Sequence, residues 1–203
     1  MQMFNYFLLG AATSTFLQYC SRFVPLWHKI LLSLLAGVLF CLAGLRLPWG
    51  LRLVLVWFFL WGLVAESYVD LRYTIILDEI LLLLLLAGIA YTGVTGCSWR
   101  DSFLGALTGS ALLGLVFVLS KGGMGLGDVK FAGVLGIWTG ISGILVTLYL
   151  SFFIGGIVAL LLCVTHRTTL KSRIPFGPCL SAGAAMSFFF SSRILDWYWS
   201  LLL

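Results

Sequence analysis

Charge is what this chain has least of. Only 9% of its 203 residues are Asp, Glu, Lys or Arg, against roughly 25% in a soluble domain. So few charges cannot cover a water-facing surface. With 62% hydrophobic residues and a mean hydropathy of +1.13, the chain reads as all-α: a polytopic transmembrane helical bundle in a lipid bilayer. No polar stretch is long enough for a second, soluble domain, so residues 1–203 read as one unit. Paired cysteines are missing as well. Cys20, Cys41, Cys97, Cys163 and Cys179 fall singly, with no Cys-x-x-Cys, which excludes a zinc knuckle and a disulfide framework. His28 and His166 have no acidic or cysteine partner at metal-ligand spacing, and the serines form no nucleophile elbow. The glycine-rich stretch does not run into the Gly-Lys-Ser/Thr of a phosphate loop. No metal and no cofactor is expected. The net charge of +5 is scattered over short loops, where Lys and Arg set membrane orientation, so no nucleic-acid partner is expected either.

What is present is long apolar runs. A bilayer core takes about 20 apolar residues as helix, and by that rule about eight spans fall near 3–20, 28–46, 51–69, 76–95, 102–120, 129–145, 146–164 and 178–195. The N-terminus lacks the basic n-region of a signal peptide, so the first run is kept as a span. Between Phe131 and Thr165 no charge marks a boundary, so the run reads either as two short helices or as one re-entrant piece and one span; Gly140, Ser142 and Gly143 offer the best break. With the N-terminus outside, inner loops hold Arg22, Lys29, Arg72, Lys121, Lys130, Arg167, Lys171 and Arg173, and outer loops only Arg46, Arg52, Arg100 and Arg193. The positive-inside rule favours that orientation. Trp49, Trp99, Trp197 and Trp199 then lie at the outer interface. Gly105-x-x-x-Gly109 and Gly136-x-x-x-Gly140 read as close helix packing.

The stretch Lys121–Lys130, Lys-Gly-Gly-Met-Gly-Leu-Gly-Asp-Val-Lys, stands between two apolar runs. Asp128 is a carboxylate at the mouth of a hydrophobic segment, where acids are costly and usually functional. Of the seven acids in the chain, only six others could partner it. Asp101 and Asp196 read as solvated loop charges, and Asp78 and Glu79 as acids favoured by the N-terminal end of a helix dipole. Asp70, closing the third run as Tyr-Val-Asp-Leu-Arg, is assigned the same membrane face as Asp128. Two carboxyls a few ångströms apart cannot both ionise, so one keeps a proton. Such a pair hydrolyses a peptide with neither metal nor nucleophilic side chain. Glu66 lies one helical turn before Asp70 and on the same face; facing the dyad it would favour the protonated form of Asp70 by like-charge repulsion, and otherwise it pairs with another helix.

Gly125-Leu126-Gly127-Asp128-Val129-Lys130 resembles the Gly-x-Gly-Asp signature of intramembrane aspartyl proteases. With Gly123 and Met124 it is similar to the prepilin peptidase (type IV leader peptidase) branch. Asp70-Leu71-Arg72 followed by Ile76-Leu77-Asp78-Glu79-Ile80 resembles that family's first catalytic motif, with Leu77 where the family usually has proline. Ile174-Pro175-Phe176-Gly177-Pro178 matches its Ile-Pro-Phe-Gly-Pro turn, and Gly10 to Pro25 loosely echoes its first helix. The resemblance implies Asp70 and Asp128 as catalytic residues, prepilin-like precursors with a short basic leader as substrates, and cleavage at the cytoplasmic face of a bacterial inner membrane. Glycines 123, 125 and 127 would let an extended substrate strand lie close. Lys130 is expected as a structural cation, and Arg72 as a residue holding Asp70 or the loop. Where many members carry a Cys-x-x-Cys insert associated with zinc and N-methylation, Ser21 to Ile30 leave only about ten residues, which implies a short form. Two other readings remain open: a proton or ion carrier using the two aspartates as a relay, and an inactive membrane subunit of a pilus or secretion machine.

Overall fold

The computed structural model describes residues 26–121, 123–165 and 175–202, with side chains from 34 to 200 within those ranges. Six helices form there: α1 (Leu26–Arg46), α2 (Leu51–Tyr73), α3 (Asp78–Thr95), α4 (Trp99–Leu119), α5 (Leu126–Val164) and α6 (Gly177–Leu202). Among the described residues there is no strand. Four helices, α2 to α5, are long and apolar enough to cross a membrane. Among the described residues the expected count of about eight spans, six at the least, is therefore not confirmed. The run at 3–20 lies outside the described residues, and α6, over the expected span at 178–195, is not among the four.

The expected spans at 129–145 and 146–164 are one helical run with a break inside it. At 1.5 Å per residue, 39 residues of straight helix would extend about 58 Å, almost twice a bilayer core. Gly140 resolves the excess by leaving helical geometry, at φ 68 and ψ −174. The two legs run in opposite directions along α4. Gly105 lies against both Gly136 and Gly140, whereas Gly109 lies against Ala132 on one leg and Ile144 on the other. The second leg then runs back along α6, with Gly143 beside Ser187 and Gly155 beside Phe176 and Cys179. The two small-residue strings thus face one another, and a Cβ at Gly105 would lie 2.5 Å from the Gly136 carbonyl oxygen. Asp101, expected as a bland loop charge, has a specific task here. Its Oδ1 accepts the N–H of Ile141 at 3.2 Å, the first residue after the break, and so caps the new helix start.

The core is built around Trp138 on the first leg of α5. It stacks on Phe59 of α2 (4.5 Å) and Tyr91 of α3 (5.2 Å), and its Nε1 donates to the Leu84 carbonyl at 2.9 Å. Gly88 makes the room, since a Cβ there would stand 2.7 Å from Trp138 Nε1. Phe188 of α6 leans on both Phe59 and Tyr91. One aromatic cluster therefore joins α2, α3, α5 and α6. Below it, the end of α2 and the starts of α3, α5 and α6 converge. Trp49, Trp99, Trp197 and Trp199 are all exposed at the opposite end, in line with an interfacial belt there.

Candidate active site

Asp70 sits in the last helical turn of α2, which stops where Thr74 adopts a left-handed conformation (φ 53) and returns its N–H to the Asp70 carbonyl. The side chain is only 5% exposed. Its Oδ2 accepts the backbone N–H of Gly177 at 2.7 Å, the short distance of a charge-assisted bond. Gly177 is the first residue of α6, so this N–H is one of the donors that a helix start leaves without an intrahelical acceptor. One turn earlier on α2, Glu66 is fully buried. Its Oε2 accepts the N–H of Leu77 at 3.4 Å, and its Oε1 has no hydrogen-bond partner among the described residues.

Asp128 occupies the third position of α5, after Gly125 in extended geometry at the N-cap. It is 8% exposed. Its carboxyl reaches back to the Gly125 amide, half of a capping box in which a third-position acid serves the N-cap N–H. Its Oδ1 is buried and finds no partner among the described residues. Asp70 and Asp128 lie within electrostatic reach of each other. Two carboxyls from separate helices thus lie at one end of the bundle, Asp128 in the first turn of α5 and Asp70 facing the first residue of α6, where backbone dipoles favour negative charge.

Two further ties fasten the halves together. Ile76, in the turn between α2 and α3, covers Gly127 so closely that a Cβ there would lie 2.9 Å from the isoleucine Cβ. Lys130 donates to both oxygens of Asp78 at 2.8 Å. This pair links the start of α3 to the helix that carries Asp128. Gly127 therefore faces Ile76 rather than open space, whereas Gly123 and Gly125 are exposed. Arg72 is exposed in the last turn of α2, and the hydrogen bond to the Asp70 carboxyl comes from Gly177. Sequence reasoning missed that role for Gly177. The available signal was the Gly-Pro pair opening an apolar run, which placed a helix start but named no acceptor for it.

Comparison with known proteins gives this geometry a context. The model of the type IV leader peptidase family matches residues 57–160, a stretch that contains Glu66, Asp70 and Asp128. The chain belongs to the type IV leader peptidase family. Members of this family are peptidases, so the chain is a hydrolase by kinship. Among its relatives is a prepilin leader peptidase/N-methyltransferase of Pseudomonas aeruginosa, 30% identical over 200 residues, covering 96% of this chain and 67% of the relative. Proteins of the same description from Bacillus subtilis (26% identical over 167 residues, 82% and 67% covered) and Aeromonas salmonicida (28% over 179 residues, 85% and 62%) are also similar. The chain thus spans about two thirds of the length of these relatives. No solved structure matches it significantly.

Proposed function

We infer that the chain is a membrane aspartyl endopeptidase that removes the short basic leader from prepilin-like precursors, with Asp70 and Asp128 as its catalytic pair. The observation that carries this reading is that two buried aspartates from α2 and α5 lie within electrostatic reach of each other, one with an oxygen that has no partner among the described residues. A water between them would lose a proton to the ionised aspartate as its oxygen attacks the scissile carbonyl. The protonated aspartate would give its proton to the carbonyl oxygen. Collapse of the resulting diol breaks the C–N bond: the aspartate that took the water's proton gives it to the departing amine, and a diol hydroxyl returns a proton to the other aspartate as the acid forms. Atoms balance as peptide plus water to acid plus amine, with no group from outside the chain.

The finer parts of the proposal rest on placement. Arg72, Lys121 and Lys130 share the end of the bundle that holds the aspartates, while Arg46, Arg52, Arg100 and Arg193 share the other. By the positive-inside rule the active site then faces the cytoplasm of a bacterial inner membrane, with the N-terminus outside. The two legs of α5, counted separately, are the extra crossing that such a topology uses. Gly123 and Gly125 remain available for an extended substrate strand, and Glu66 is proposed to support Asp70 by fastening the turn that follows it.

The test is hydrolysis by the purified full chain in detergent micelles of a synthetic precursor carrying a basic leader, a glycine and a hydrophobic helix. Cleavage after the glycine, read by mass spectrometry, is the expected result. An intact peptide, together with proton flux in liposomes bearing the same protein, would favour the relay reading instead.

A further inference from the structure

Gly177 stands closer to Asp70 than any side chain would allow. A Cβ on it would lie 2.7 Å from Asp70 Oδ2 and 3.0 Å from both Asp70 Cβ and Cγ. The same residue donates its N–H to Oδ2 at 2.7 Å. The next residue is Pro178, which has no N–H, so the start of α6 directs one donor at the carboxyl and leaves no second beside it. Behind this turn, Leu180 returns its N–H to the Phe176 carbonyl at 3.0 Å, and Phe176 packs on Phe152 of α5 at 5.3 Å. The donor therefore belongs to a helix start that is packed against α5.

We propose that Gly177 is a positioning residue for Asp70: its missing side chain and its N–H together fix where that carboxyl points, which makes the first turn of α6 a third wall of the active site after α2 and α5. The inference rests on Asp70 acting in hydrolysis and adds what sets its geometry. It explains why the stretch Pro-Phe-Gly-Pro carries glycine at that one place. The glycine is not there for backbone freedom, because Gly177 is not among the residues with positive φ.

The size of the effect follows from the gap. Ordinary contact begins near 3.4 Å, so a methyl group on Gly177 pushes the carboxyl back by about 0.4–0.7 Å, and misplacements near 1 Å can cost about 10²-fold in rate. The experiment uses the purified full chain in micelles with the synthetic precursor and compares Gly177→Ala with Gly156→Ala, where an added Cβ meets nothing within 4 Å. Gly177→Ala is expected to lower kcat by roughly 6- to 25-fold with KM within about twofold, because the added methyl meets Asp70 and not the substrate. Its thermal midpoint should match that of Gly156→Ala, which should itself cleave like the parent.

A kcat within about threefold of the parent, or a kcat and KM that change together, overturns the inference. Should Gly177→Ala fail to accumulate, an ester variant decides, with glycolic acid in place of Gly177. It removes the N–H without adding a side chain. Loss of kcat at constant KM then supports the inference, and retained kcat overturns it. If the parent protein cuts no precursor at all, the functional reading has failed and not this one.

Discussion

Leu77→Pro deletes one hydrogen-bond donor and little else, which makes it a sharp probe of Glu66. Leu77 precedes α3 with φ −84, close to the value near −65 that proline imposes. Its carbonyl already accepts from Leu81, and its N–H goes to Glu66 Oε2 at 3.4 Å. In the proline variant, Glu66 would be a fully buried carboxyl with neither oxygen paired among the described residues. An orphaned buried polar group costs roughly 1–3 kcal/mol. The bond is long, so the lower end, about 1 kcal/mol, is the better figure. For a chain of this size that corresponds to about 2–4 °C in thermal midpoint. Removing both partners is nearly neutral, so in a Glu66→Leu background the same proline should cost close to nothing. The assay is thermal unfolding of all four proteins of the cycle in one detergent. An equal loss on Leu77→Pro in both backgrounds would refute the claim that Glu66 depends on that N–H.

Three other outcomes follow from the same geometry. The Lys130–Asp78 pair is 56% and 69% exposed on its two side chains, so Asp78→Ala should cost less than about 1 kcal/mol of stability, checked by thermal unfolding. Gly105→Ala forces a Cβ onto the Gly136 carbonyl and the Gly140 backbone, where overpacking costs roughly 1–3 kcal/mol; the accumulation and thermal midpoint of the variant measure it. Asp101→Ala removes the cap at the α5 break, with a loss of about 0.5–2 kcal/mol and faster hydrogen exchange at residues just after Gly140, while Asp196→Ala serves as the control.

The sequence made the helices legible wherever a polar or glycine-rich turn punctuated them. The expected spans at 51–69, 76–95 and 102–120 became α2, α3 and α4 with shifts of a few residues. The stretch from Phe131 to Thr165 was harder, because it carries no charge and helical propensity does not see a single-residue break. Gly140 was one of three candidates, but what distinguishes it is the Asp101 carboxylate across the bundle, which no local pattern reveals. The same holds at the site. Asp70 and Asp128 stood out because acids are scarce and costly in an apolar chain, and Lys130 looked structural without naming Asp78. Gly177 looked like part of a turn, and only the packing of α6 against α2 gives its N–H an acceptor. Gly127 read as room for a substrate strand, and the close fit of Ile76 beside it was not legible in the spacing. Long-range pairing made these differences, and composition and spacing do not carry it.

The central claim is that Asp70 and Asp128 act together as the acid and base of peptide hydrolysis. The most direct measurement co-expresses a prepilin precursor with the parent protein, with Asp70→Asn and with Asp128→Asn, and reads leader removal by mass spectrometry. Asparagine keeps the shape of each side chain and removes its ionisable acid. Both variants are expected to accumulate in the membrane like the parent and to leave the leader uncut. Normal leader removal by either variant would contradict the account.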